Sequence, residues 1–230
     1  TAAVVVGVAH PWAEAGAVVA AGAVALAAAD FHPGVAVILV AVAPQATGEI
    51  DMHNKAHHTS QPRTLGRWLR HLSLDVRDAQ RQLPATARQQ LEQSIAQSEA
   101  RHLGELRVCV EASLSPSQLW AGVTPRQRAI ELFGQLGVWD TEHNNGVLIY
   151  LLLADRRIEV LADRGLMQKL DDADHWEKLV GQLTLQLAQN NMQQGLQVAI
   201  EQIGALLHKH YPLVKGQLNG NELPDSIVLI

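Results

Sequence analysis

The chain has 230 residues, 47% hydrophobic and 18% charged, enough to build a sizeable core in one large domain or two small ones. Its net charge of −5 excludes the broad basic footprint that nucleic-acid binding needs. The single cysteine, Cys109, excludes an intrachain disulfide and any multi-cysteine metal cluster.

From Thr1 to Asn54 there is no Lys or Arg, and residues 1–43 are dominated by Ala and Val. The runs Ala15–Ala29 and Val35–Ala43 are each shorter than the roughly 20 residues of a membrane helix. Joining them would bury Asp30, His32 and Pro33 mid-membrane. No basic stretch precedes them, so they do not read as a signal peptide. Three readings stay open: a membrane hairpin or one poor span, a small apolar subdomain packed on the rest, or a segment foreign to the native protein. The last is slightly favoured, because "MHNKAHHTSQPRTLGRWLRHL" from Met52 reads well as a protein start. It implies that a chain beginning at Met52 folds as well as the whole.

Residues 44–63 are polar, contain Pro, Gly, Ser and Asn, and read as a linker. His53 and His57 within it have helical ligand spacing, with His58 beside them, but no third ordered ligand accompanies them. Adventitious metal binding is the reading there. From Lys55 onward the chain looks like an ordinary soluble protein, and residues 64–230 read as its α/β domain.

Thr64 can cap a helix with Leu65, Trp68, Leu69 and Leu72 on one face and Arg67, Arg70 and His71 on or beside the other. That pattern, Trp and Leu inward and basic residues outward, fits a helix packed on a domain or one lying on a membrane surface. The Thr64–Leu72 helix is therefore the candidate contact for a protein partner or a membrane. A second helix runs from about Ala85 to His102, with Leu91 and Ile95 on a thin apolar face and Gly104 placed to stop it. In "ELRVCVEAS", Leu106, Val108 and Val110 alternate with Arg107, Cys109 and Glu111, which predicts a strand with one polar-leaning face. Cys109, mid-strand with no fixed His partner, reads as packing.

Thr124-Pro125-Arg126-Gln127 opens the next helix with a capping box, and Gly137 ends it. Ala129, Ile130, Phe133 and Leu136 form its inner face. Gly146–Ala154, "GVLIYLLLA", shows no alternation and predicts a central strand covered on both faces. A short turn at Asp155-Arg156 leads to an antiparallel strand, Arg157–Asp163. Asp174 and Glu177 mark another capping box before a helix carrying Trp176, Leu179, Val180, Leu183 and Leu187. Asp172-Ala-Asp174 resembles a phosphatase D-x-D only superficially, because no strand precedes it to aim a nucleophile. A last helix carries Met192, Leu196, Ala199, Ile200, Ile203, Leu206 and Leu207, and "NELPDSIVLI" ends in a turn and a short edge strand. The order predicts an α/β fold: a small mixed sheet sandwiched by helices, with a parallel crossover between the first two strands and a hairpin after it.

No Gly-rich phosphate loop, H-E-x-x-H or G-x-S-x-G occurs. What remains is the polar ends of the central strand. Asp140, Glu142, His143, Asn144 and Asn145 precede it, and the antiparallel return brings Asp163, Arg164 and Gly165 back to the same rim. Asp140, Glu142, Asn144 and Asp163 supply oxygen ligands suited to Ca²⁺ or Mg²⁺, and Arg164 beside them suits a phosphate or other anion. The competing reading is turn chemistry: Asn145-Gly146 tolerates positive φ, Asp155 caps its own turn, and Asp163-Arg164-Gly165 ties strand to helix.

The segments "HLGELRVCVEASL" and "RAIELFGQLGVWDTEHNNGVLIYLLLADRRIEVLADRGL", followed by two amphipathic helices, resemble the TPM domain family. That family includes a thylakoid-lumen acid phosphatase linked to photosystem II repair and many bacterial membrane-associated proteins. The resemblance runs from about Leu103 to Tyr211. The "TLGRWLRHLSLD" lead and "NELPD" tail resemble one bacterial subgroup. It implies an α/β sandwich, divalent-metal binding and, in some members, weak phosphatase activity, in a bacterial protein of the cytoplasm or a membrane surface. Matching positions are Asn145 and Gly146 for the N-G turn, Asp155 and Arg156 for the D-R turn, and Gly165 after the last strand. The chain has Asn144 where many members carry a short acidic residue, one charge fewer for a metal. Two functions follow as expectations: an interaction or assembly module whose rim binds a partner or cation, and a metal-dependent phosphatase in which Asp140, Glu142 and Asp163 hold the metal and Arg164 the phosphate.

Overall fold

The computed structural model describes residues 5–9, 39–42, 65–169, 181–182, 185–186, 191–214, 216 and 220–230. The capping box at Asp174, the helix through Trp176 and Leu187, the Thr64 cap, the linker histidines and Met52 lie outside them, apart from residues 181–182 and 185–186, which are helical.

Described strands are β1 (Val5–Ala9), β2 (Leu39–Val42), β3 (Leu106–Glu111), β4 (Val147–Leu152), β5 (Arg157–Ala162) and β6 (Val228–Leu229). They form one mixed sheet in the order β2-β1-β5-β4-β3-β6. At its centre β3 and β4 run parallel, from Leu106 opposite Val147 to Glu111 opposite Leu152. β5 returns antiparallel to β4, with Val147 opposite Ala162 and Leu152 opposite Arg157. β6 adds a short parallel edge to β3, and β1 pairs antiparallel with β5. The crossover, the hairpin and the terminal edge strand are those the sequence predicts.

The helices are α1 (Leu65–Ser73), α2 (Val76–Gln82), α3 (Ala85–Glu99), α4 (Pro116–Trp120), α5 (Pro125–Gln135), α6 (Arg164–Lys169) and α7 (Met192–His210). Among the described residues, no helix is long and apolar enough to cross a membrane. On one face of the sheet, Leu91 and Ile95 of α3 and Leu196, Ile200, Ile203 and Leu207 of α7 bury Val108, Ile149 and Val160. On the other, Ala129, Leu132 and Phe133 of α5 cover Cys109, Leu148, Tyr150 and Leu161. Each fully buried aliphatic side chain contributes about 1.5–3 kcal/mol, so the two faces together supply most of the driving force for folding.

α5 starts as read: Thr124 accepts from Gln127 N, and the Gln127 side chain accepts from Thr124 N. α2 and α4 carry the same device, at Asp75/Asp78 and Ser115/Gln118, and were not evident from periodicity because each is under three turns.

The polar-leaning face of β3 is present as read, and it is buried. Arg107 donates to the carbonyls of Pro224 and Ser226, while Glu111 accepts from Arg128 Nε at 3.0 Å and from the Tyr150 hydroxyl at 2.6 Å. A buried polar residue survives when every charge finds a partner.

The leucines of α1, expected on its inner face, do not point inward. Arg67 and His71 are buried, whereas Leu65, Leu69 and Leu72 are 76%, 58% and 65% exposed. Asp155 causes the reversal. It does not cap its own turn; its carboxylate takes Arg67 Nε at 3.0 and 3.1 Å, Arg67 Nη2 at 2.8 Å and His71 Nε2 at 3.0 Å. Leu114 N–H donates to His71 Nδ1 at 2.9 Å, which fixes Nδ1 as acceptor and puts the ring proton on Nε2, facing Asp155. Arg67 also donates to the Val123 carbonyl and Arg70 Nε to that of Ala154. Only Trp68 of the expected inner face packs on the core.

Candidate functional site

The hairpin brings the two polar loops to one rim. Gly146 C=O accepts from Asp163 N at 2.9 Å, and Asn144 C=O accepts from Gly165 N at 2.8 Å and Leu166 N at 3.3 Å. The polar residues around these contacts fall into a buried layer and an exposed one.

Asn145 and Asp163 form the buried layer; both are fully inaccessible. Asn145 N donates to Thr141 Oγ1 at 3.1 Å, and Asn145 Nδ2 donates to the Leu103 carbonyl at 2.9 Å. Leu103 N in turn donates to the Tyr211 carbonyl, tying the rim to the end of α7. Asp163 Oδ1 accepts from Arg164 N at 2.6 Å at the start of α6. The remaining polar atom of each side chain, Asn145 Oδ1 and Asp163 Oδ2, is buried without a hydrogen-bond partner. Burial lifts the Asp163 carboxyl to about 6, against the opposing pull of the Arg164 N–H and charge. Burial also raises the Tyr211 hydroxyl to about 12, and the neighbouring Asp163 charge adds to it. Tyr211 stacks on His143 with ring centroids 6.3 Å apart, and Lys169 Nζ lies 3.7 Å above its ring.

Asp140 and Glu142 belong to the exposed layer. Glu142 uses its backbone N–H to bind the Glu222 carboxylate at 3.0 Å. Arg164 is half-buried. Among the described residues, no group of three or more His, Cys, Asp or Glu side chains converges as a metal site. A cation at this rim would have to be held by Asp163 Oδ2 and Asn145 Oδ1 with carbonyl or water oxygens. Carboxylate, amide and carbonyl oxygens are the donor set of a hard cation.

The rim's backbone explains its glycines, and differently from the turn-chemistry reading. Asn144, not Asn145 or Gly146, holds the left-handed conformation, at φ 51°. Gly146 is needed for space: a Cβ there would meet the Val138 carbonyl oxygen at 2.1 Å. A Cβ on Gly165 would meet the carbonyl oxygens of His143 and Asn144 at 2.3 and 2.6 Å and the Tyr211 hydroxyl at 3.0 Å. At the far end of the hairpin Arg156 takes the left-handed position, φ 52°, and Asp155 serves α1. Tyr211, Thr141 and Leu103 were missed in the sequence. They meet the rim through tertiary contacts that no local pattern announces.

A central mixed sheet between helices, with a polar rim where the hairpin rejoins its preceding loop, defines an α/β sandwich domain. Residues 76–206 match the TPM domain, and the chain belongs to that family. It is similar to the BA42 protein from the psychrophilic bacterium Bizionia argentinensis, whose structure was determined by NMR. The two share 29% identity over 64% of this chain and 94% of that chain, with a TM-score of 0.56. No curated protein matches the chain.

Proposed function

We propose that this TPM-domain protein is an interaction or assembly module working at a membrane surface, and that its Asn145–Asp163 rim binds a divalent cation, Ca²⁺ or Mg²⁺. One observation carries the cation reading: Asn145 Oδ1 and Asp163 Oδ2 are both buried with no hydrogen-bond partner. A buried acceptor left unpaired costs about 1–3 kcal/mol, so two at one rim favour a ligand that supplies positive charge. On this reading Asp140, Glu142 and Asn144 supply further oxygen donors to the ion through water. Membrane placement is supported by the exposed leucine face of α1.

A second reading, a metal-dependent phosphomonoester hydrolase, is favoured by the Asp163 carboxyl near 6, the range useful for proton transfer, with Arg164 beside it for phosphate.

The test is a calcium and magnesium titration followed by thermal melting, on the wild type and Asp163→Asn, with phosphomonoester hydrolysis assayed in parallel. The wild type should gain melting temperature with millimolar cation and Asp163→Asn should gain none, because a ligand that binds only the folded state must stabilise it. A flat wild-type response removes the cation reading. Hydrolysis that depends on metal and is lost in Asp163→Asn replaces the module with the enzyme.

A further inference from the structure

α1 is an amphipathic helix docked back to front. Its polar side is fixed to the domain through Arg67 and His71 on Asp155, side chains 5%, 0% and 7% exposed. Its apolar side, Leu65, Leu69 and Leu72, faces outward and is continued into α2 by the exposed Val76. The spacing of four and three residues keeps the three leucines on one line of α1, and Val76 opens α2 after the non-helical step at Leu74-Asp75. Trp120, 70% exposed, stands three residues from Val123, whose carbonyl holds Arg67. Arg70, Arg77 and Arg156 are exposed on α1, α2 and the β4–β5 turn, Arg81 is paired with Asp78 at 2.8 Å, and Asp75 is the one exposed acid of these segments.

We infer that the outward face of α1, with Val76 and Trp120, docks on the surface of an anionic lipid bilayer. Three leucines and a valine fall far short of the roughly 20–30 residues per side of a stable protein interface, which argues against a second copy as the occupant. Leucine and tryptophan rimmed by arginine are what a helix lying in the headgroup region requires, and arginine gains most where lipid phosphates carry negative charge. The buried ion pair holds the helix rigidly, so it meets the bilayer already folded and oriented. β4 and β5 then stand between the bilayer and the Asn145–Asp163 rim. At six residues each they put the rim about 20 Å from the Asp155 turn, facing away from the lipid.

This inference rests on the membrane half of the proposed function. The test is co-sedimentation of the full chain with vesicles of phosphatidylcholine alone and of phosphatidylcholine mixed with phosphatidylglycerol. Leu69→Ser/Leu72→Ser, Arg77→Gln and the distant control Val214→Ser are compared with the wild type. All four sites are exposed, so melting curves should match. The wild type should prefer the anionic vesicles. The double leucine substitution should weaken binding at least about tenfold, because it withdraws apolar side chains from the lipid. Arg77→Gln should weaken binding less and reduce its salt dependence, and Val214→Ser should bind as wild type. Vesicle binding that ignores the leucines overturns the α1 inference while leaving membrane association through another segment. No vesicle binding at all removes both readings. A dimer in sedimentation velocity that dissolves with the leucines makes a second copy the occupant and overturns the bilayer.

Discussion

Arg67 Nη2 lies 2.8 Å from Asp155 Oδ2, and the two side chains are 5% and 7% exposed. They come from segments 88 positions apart, so this pair joins the start of the domain to the central hairpin. Burial by itself raises the Asp155 pKa, but hydrogen bonds from His71 and Arg67 and the Arg67 charge outweigh it and bring the carboxyl down to about 2. The folded value is depressed, so the stabilisation is complete above the unfolded value near 3.8 and fades as pH falls from there toward 2. It is worth on the order of 2 kcal/mol at neutral pH. Asp155→Ala should cost more, about 3–5 kcal/mol, because Arg67 is left charged and buried. Thermal melting should fall by about 6–20 °C, with faster amide exchange in α1 than in β4. An unchanged melting temperature would show that α1 does not depend on the pair.

Glu159 makes the opposite prediction. It is buried on β5, and burial pushes its carboxyl to about 8 although Arg126 and Arg157 pull it down. A folded pKa above the unfolded one means the native state holds a proton the unfolded chain has released. Stability therefore declines as pH rises from about 4.5 toward 8. Glu159→Gln mimics the protonated acid and should flatten that decline, raising the melting temperature at pH 8 and leaving it little changed at pH 4.5. Melting curves at the two pH values decide it. Equal slopes for wild type and variant would mean that Glu159 is ionised in the fold.

The core strands were legible because their signals are local. An unbroken apolar run such as Gly146–Ala154 has one sensible place in an α/β domain, and a turn followed by Arg157–Ala162 can only fold back on it. The direction of α1 was not legible. Its leucine stripe predicts inward packing unless a buried acid elsewhere claims the arginine, and nothing near Arg67 in sequence reveals Asp155. The rim was half legible. Its oxygen-rich residues stand out, but which of them are buried depends on Thr141, Leu103 and Tyr211, brought in by tertiary contacts.

Two glycines separate space from conformation. Gly146→Ala would drive a methyl into the Val138 carbonyl and should cost about 1–3 kcal/mol or more. Gly134, inside α5, has nothing within 4 Å of its Cβ position, so Gly134→Ala should stabilise by roughly 0.5–1 kcal/mol through helix propensity. Chemical denaturation of both variants checks the pair. A stable Gly146→Ala would mean that the Val138–Gly146 approach relaxes freely.

Cation binding at the rim should depend on pH. Burial sets the Asp163 carboxyl near 6, and a cation can occupy Oδ2 only when the proton has left. Below that value proton and cation compete, so affinity should fall about tenfold per pH unit; above it, affinity should level off. Calcium titrations by calorimetry at pH 5 and pH 7 should therefore differ by roughly tenfold in dissociation constant. Tyr211→Phe should leave that difference in place, since its hydroxyl feels the Asp163 charge but stays protonated until about pH 12. A calcium affinity that does not change between the two pH values would place the ion on the exposed acids, Asp140 and Glu142, rather than on Asp163.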